Sequence, residues 1–214
     1  DLSHIITMPI SMKRTLPSLV HQDNHQGRML PLWFAMTDYE RLPDPTPLIP
    51  YLPQNCALIV RDLNTTRQSE TVHRISPICK DNSVTLMASL SRPPRQLACD
   101  GVHIPEKSLI HWKKTDIFRL QPKIISSSAH SFRSIARATN FGVDACLLSP
   151  VFATKSHKNN NFLGMPRFTS LCHSARVPII GLGGISTARI HRVFGAGAAG
   201  IAGIGLFEDL YRSA

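Results

Sequence analysis

The sequence predicts an α/β chain folded as a single (β/α)8 TIM barrel. Three observations carry that prediction. From Leu32 onward, short apolar runs alternate with helical stretches, the order that builds a parallel sheet. Several of the runs are apolar almost throughout, as expected of strands covered on both faces. Three consecutive runs then end in hydroxyl, imidazole or glycine residues: Ser128-Ala-His-Ser131, Ser149-Pro-Val-Phe-Ala-Thr-Lys-Ser-His157 and Gly181-Leu-Gly-Gly184. A barrel collects such strand ends on one rim.

Residues 1–30 show scattered Pro, His and polar residues without periodicity, and read as an arm or lead-in. The alternative is that they close the barrel bottom. The barrel itself is assigned to 31–214. Its strands are expected at Leu32–Met36, Ala57–Val60, Val84–Ala88, Gly101–Ile104, Lys123–Ser126, Ala145–Leu148, Pro178–Gly181 and Gly200–Ile204. Helices are expected near 66–80, 108–116, 131–141, 166–175, 187–195 and 207–213. Pro43, Pro45, Pro47, Pro50 and Pro53 break the first connection, and Pro93 and Pro94 the third. The chain has 214 residues, near the lower size limit of this fold, with no internal repeat and no second domain.

Lys plus Arg is 24 and Asp plus Glu is 14, a net charge of +10. Such a charge suits nucleic acid, a membrane surface or a phosphorylated metabolite. The basic residues are scattered, with no run of four and no aromatic interleaving. They read as solvated helix faces plus a few phosphate contacts, so neither a nucleic-acid nor a membrane partner is expected. The cysteines, Cys56, Cys79, Cys99, Cys146 and Cys172, are odd in number and have no C-x-x-C spacing. They fit neither a zinc site nor a disulfide framework, and a reducing cytoplasm is expected. No apolar run is long enough to span a membrane, and the N-terminus has no signal-peptide core.

The rim carries the candidate chemistry. Gly183 and Gly184 follow the seventh strand, with Ser186 placed to cap the next helix, and Ile204 and Gly205 follow the eighth. Glycine lets backbone N–H groups approach an anion, and these two exits form the usual barrel phosphate site. The competing reading is that the glycines only permit tight turns. Thr154, Lys155, Ser156 and His157 can hold a phosphate, or can be an ordinary surface loop leading into Lys158-Asn-Asn-Asn161. His130 stands between Ser128 and Ser131. It is either a proton shuttle or a hydrogen-bonded structural histidine, and Ser131 can cap the following helix. In Asp100-Gly-Val-His103-Ile-Pro-Glu106, His103 is expected inside the barrel and Glu106 at its mouth, where it can bind a cation or a hydroxyl. Arg61 ends the second strand as a fork for phosphate or carboxylate. Asp38 ends the first, where turn capping is an equal reading. Asp38, Asp62 and Glu106 come from different strands, so no metal site is indicated.

Taken together, these pieces resemble the thiamine phosphate synthase/TenI family. The resemblance runs from Leu32 to about Phe207 and rests on Asp100-Gly-Val-His103, Ser128-Ala-His-Ser131, Pro150-Val-Phe-Ala-Thr154, Leu163-Gly164, Pro178-Ile-Ile-Gly-Leu-Gly-Gly-Ile185 and Ala196-Gly-Ala-Ala-Gly-Ile-Ala202. It implies a barrel that binds a thiazole phosphate, commonly as a homodimer. In the synthase, the thiazole nitrogen displaces diphosphate from an aminopyrimidine diphosphate with the help of Mg²⁺. The synthase pattern Gln-x-Arg-x-Lys reads Ile59-Val-Arg-Asp-Leu63 here, so only Arg61 matches. Its Asn-Asp after strand three reads Ala88-Ser89, and Ser108 stands where a metal-binding Asp follows strand four. The lysine after the Pro-x-Thr-x-Thr loop aligns with His157.

TenI isomerises a thiazole carboxylate phosphate by proton transfer without a metal, and its histidine matches His130. The expectation is therefore tautomerase-like. Gly183, Gly184, Ile204 and Gly205, with Thr154 and Ser156, anchor the phosphate; Arg61 pairs with a carboxylate; His130 moves the proton; Ser128 orients His130. No cofactor is expected on that reading, and Mg²⁺ only on the alternative of a true synthase using Glu106 or Asp62. A further alternative is a phosphate-ligand sensor without turnover.

Overall fold

The computed structural model describes residues 29–40, 42–154 and 162–207. Eight parallel strands close into a barrel in sequence order: β1 Trp33–Met36, β2 Cys56–Val60, β3 Thr85–Ser89, β4 Gly101–Ile104, β5 Ile124–Ala129, β6 Ala145–Leu148, β7 Ile179–Leu182 and β8 Gly200–Gly203. The ring closes where β1 pairs with β8, Trp33 beside Ile201. The helices are α1 Thr65–Asp81, α2 Lys114–Leu120, α3 Phe132–Phe141, α4 Gly164–Ser174 and α5 Ile190–Gly195.

The strands are apolar because each must bury two faces. In β1, Phe34 and Met36 join the inner cluster with Ala57, Ile59, Met87 and Leu147. Trp33 and Ala35 join the outer one, under the helices, with Leu58, Leu86 and Ile179. The alternation is the period of two of a strand. Each large apolar side chain so buried contributes about 1.5–3 kcal/mol. Leu30 also belongs to the inner cluster, so the end of the assigned arm is part of the barrel. Asn55 Nδ2 donates to the Leu30 carbonyl at 3.1 Å. Residues 1–28 lie outside the described residues.

The structure corrects three expectations and agrees with a fourth, the proline-broken first connection. The helix expected near 108–116 is broken. A 3₁₀ turn, Glu106–His111, ends at Trp112, whose backbone is extended (φ −105°, ψ 141°), and α2 begins only at Lys114. Trp112 is buried, and packing its ring wins over helix continuity. Strand β5 runs three residues beyond Ser126. Its serines are tolerated because each is paired: Ser127 Oγ donates to the Ile104 carbonyl at 2.8 Å, and Ser126 and Ser128 bond inward. The proline-rich first connection forms a 3₁₀ turn, Thr46–Tyr51, which buries Leu48 and Ile49. Ser186 precedes a 3₁₀ turn, Thr187–Arg189, rather than an α-helix, and makes no side-chain cap. Ser131 does cap α3, accepting from the Ser134 N–H. Residues 205–207 are helical, and 208–214 lie outside the described residues.

Candidate active site

At the C-terminal mouth the exits of β1, β2, β6, β7 and β8 surround a cavity of about 440 Å³. Six of the residues expected to bind ligand line it, Arg61, Thr154, Gly183, Gly184, Ile204 and Gly205, together with Asp38 and Ser186. Lys155, Ser156 and His157 lie outside the described residues.

The glycines of the β7 exit are there for space and for conformation. Gly183 and Gly184 have φ of +100° and +65°. A Cβ on Gly184 would lie 2.5 Å from the Ala153 carbonyl oxygen and 2.8 Å from Phe152 Cβ. The β6 exit is strapped onto this loop. The Val151 N–H donates to the Leu182 carbonyl (2.9 Å) and the Phe152 N–H to the Gly183 carbonyl (3.0 Å). Among the described residues, no acceptor takes the N–H of Gly184, Ile185 or Gly205. Free amides on residues that line a concave mouth are able to receive an anion.

Across the cavity the Thr37 hydroxyl ties β1 to β2, accepting the Arg61 N–H at 2.8 Å. No carboxylate among the described residues pairs with the Arg61 guanidinium. Its neighbour Asp62 is held by Arg67 through two hydrogen bonds, Nε to Oδ2 and Nη2 to Oδ1. Those bonds hold the Asp62 carboxyl below its usual range. Arg67 also stacks on Tyr39, 3.5 Å from the ring centre. Asp38 lines the cavity, yet its Oδ1 accepts the Glu40 N–H at 3.0 Å, the turn-capping role.

His103 is inside the barrel and 2% exposed. Its Nδ1 lies 2.9 Å from Ser126 Oγ and its Nε2 2.9 Å from Ser128 Oγ. Burial pushes its pKa down to about 4, and the Arg61 charge adds to that. The ring is therefore neutral near pH 7, with one N–H and one lone pair. Ser126 is fully buried, and His103 is its one hydrogen-bond partner among the described residues. Its hydroxyl proton can be satisfied only by donation to Nδ1. The ring proton then sits on Nε2 and donates to Ser128 Oγ.

This corrects the expected role of Ser128, which holds His103 and not His130. His130 is held elsewhere. Its Nδ1 lies 2.7 Å from the Ser149 carbonyl, which can only accept, so Nδ1 carries the proton. Nε2 faces Glu106 Oε2 at 3.9 Å. That oxygen is buried and without a hydrogen-bond partner. Neither His130, Ser128 nor Glu106 is among the residues lining the cavity. The sequence reading missed the Ser149 carbonyl, because a backbone acceptor has no side-chain signature.

The fold invites a test for Mg²⁺. Among the described residues, no three His, Cys, Asp or Glu side chains converge. Asp62 is committed to Arg67 and one Asp38 oxygen to a turn. Among the described residues, then, no dedicated three-ligand metal cluster forms. Among them, too, no helix is long and apolar enough to cross a membrane.

Comparison with known proteins agrees with this architecture. The thiamine monophosphate synthase family model matches residues 56–207. A putative thiamine-phosphate synthase 2 of Aquifex aeolicus (strain VF5) is 37% identical over 111 residues, 51% of this chain and 58% of that protein. A thiamine-phosphate synthase of Prochlorococcus marinus is 30% identical over 141 residues, 64% of this chain and 40% of that protein. The chain thus spans 58% and 40% of the lengths of these two relatives. The solved thiamine phosphate pyrophosphorylase from Pyrococcus furiosus superposes with a TM-score of 0.68 over 86% of this chain and 94% of that one. At 17% identity, that likeness speaks for the fold alone. With the family model covering more than half of its length, this chain belongs to the thiamine monophosphate synthase family.

Proposed function

We propose that the mouth of this barrel binds a thiazole phosphate, and that the chain acts in joining it to an aminopyrimidine diphosphate. The observation that carries this reading is the 440 Å³ cavity with glycine-lined walls, free amides on one side and the unpaired Arg61 guanidinium on the other. A phosphate anchored by the amides of Gly184, Ile185 and Gly205, with help from Thr154, holds the thiazole ring in the mouth. Such anchoring lowers the entropic cost of bringing two reactants together. In the joining step the ring nitrogen forms a bond to the carbon bearing the diphosphate. The carbon–oxygen bond breaks, and diphosphate leaves with the electron pair. Arg61 faces the mouth and stabilises the departing charge. The names of the relatives favour this reaction over the isomerisation expected first from the sequence.

A second reading keeps isomerisation, and one observation favours it. The Ser149 carbonyl fixes the proton of His130 on Nδ1, which leaves Nε2 as a base beside Glu106. That arrangement moves a proton and uses no metal.

One experiment separates the readings. Purified protein is given both substrates, with and without Mg²⁺, and thiamine phosphate is measured by fluorescence after oxidation. Product formation supports joining. If none forms, the thiazole carboxylate phosphate tautomer is supplied instead. Its conversion by the wild type but not by His130→Asn establishes isomerisation. Ligand binding without either turnover rejects both enzymatic readings and leaves the sensor.

A further inference from the structure

Arg189 ends the 3₁₀ turn after β7 and lies outside the cavity wall. Its Nη1 donates to the Gly184 carbonyl at 2.8 Å. Its guanidinium carbon sits 4.7 Å from the centre of the Phe152 ring. Phe152 belongs to the β6 exit, and its N–H is already bonded to Gly183. Arg189 therefore grips both walls of the phosphate cradle from behind. No described carboxylate pairs with it.

The consequence is geometric. The Gly184–Ile185 peptide is trans, so its carbonyl and its N–H point in opposite directions. Pulling the carbonyl back toward Arg189 aims the Ile185 N–H forward. Gly184 and Ile185 line the cavity, whereas Arg189 and Phe152 do not. A glycine at φ +65° next to a second at +100° gives a loop whose peptide plane can turn over easily. Something must fix that plane before an anion arrives.

We propose that Arg189 is a positioning residue: by holding the Gly184 carbonyl it presents the Ile185 N–H to a phosphate monoester bound in the mouth. The inference rests on the phosphate reading of the cavity. It adds a residue that contacts no ligand yet sets how tightly the ligand is held. A preset amide donor costs no reorganisation on binding.

Arg192 supplies the control. Its guanidinium also lies over Phe152, at 5.8 Å, but makes no bond to Gly184. Arg189→Ala and Arg192→Ala remove the same charge from the same neighbourhood. Binding of thiazole phosphate and of inorganic phosphate is measured by calorimetry on the full chain, with the Ile185 amide followed by NMR. Arg189→Ala is expected to weaken both ligands by about tenfold, the worth of one hydrogen bond to an anion. It should also abolish the phosphate-induced shift of the Ile185 amide. Arg192→Ala should weaken binding by no more than about threefold, the effect of partly screened charge. Arg189→Lys keeps a donor and should fall between wild type and Arg189→Ala; it serves if the alanine variant does not fold. Equal losses in Arg189→Ala and Arg192→Ala would reduce Arg189 to its charge and overturn the proposal. So would an Ile185 amide that still shifts with phosphate in Arg189→Ala. A wild type that binds neither phosphate would instead remove the reading of the cavity itself, and this inference with it.

Discussion

Replacing Gly184 with alanine attacks the proposed phosphate cradle at its tightest point. Two costs can be worked from the structure. The backbone stands at φ +65°, where a residue with a Cβ loses about 1–2 kcal/mol relative to glycine. The new Cβ would also meet the Ala153 carbonyl oxygen at 2.5 Å and Phe152 Cβ at 2.8 Å. Neither neighbour is the free end of a flexible side chain. Relief requires the β6 and β7 exits to part, at a further cost of about 1–3 kcal/mol. The sum is about 2–5 kcal/mol, and at about 2–4 °C per kcal/mol for a chain of this size the melting temperature should fall by at least about 4 °C. Phosphate affinity should fall with it, because the freed loop no longer directs its amides. The comparison is Gly205→Ala, where φ is not positive and a Cβ meets nothing within 4 Å. That variant should melt within about 1–2 °C of wild type, as a surface change does, yet bind phosphate more weakly if the anion approaches the Gly205 backbone. Thermal unfolding and phosphate calorimetry on the two variants decide the matter. A Gly184→Ala protein with wild-type melting temperature and wild-type phosphate affinity would refute the reasoning.

Other expectations follow from the buried polar groups. The His103 pKa is lowered in the folded state, so the unfolded chain binds more protons at acid pH and stability falls as pH drops from about 6.5 toward 4. The loss should be on the order of 2–3 kcal/mol by urea unfolding, and His103→Gln should flatten that slope; an unchanged slope would show that the ring is not the group responsible. Nitrogen NMR should find the His103 proton on Nε2, and a proton on Nδ1 would reverse the assigned direction of the Ser126–His103–Ser128 chain. Ser126→Ala leaves Nδ1 buried without a partner and should cost about 1–3 kcal/mol. Burial raises the thiols of Cys56 and Cys146 to about 12. Both should resist alkylation at pH 8 in the native protein and react only after unfolding, as read by mass spectrometry.

The fold was legible because the barrel imposes its pattern on short stretches of chain. Strands buried on both faces must be apolar, as Ala57–Val60 and Ala145–Leu148 are, and glycine must stand where two exits approach closely. Thus the barrel and its polar rim could be read from local composition, and the family from the resemblance of its ordered motifs. What local composition cannot encode is which partner a polar side chain finds across the barrel. Ser128 is two residues from His130 in sequence, yet it bonds to His103 on the neighbouring strand, because residues two apart share a strand face while register sets the cross-strand neighbour. His130 is oriented by a backbone carbonyl 19 residues away. Asp62 looked like a spare carboxylate until α1 brought Arg67 against it. The broken helix at Trp112 followed from burial of one ring. The sequence by itself determined where polar groups reach the mouth, since strand period and chain order suffice for that. Only the tertiary structure decided which of them are engaged and which face the cavity, since hydrogen bonds and ion pairs depend on distances between elements remote in the chain.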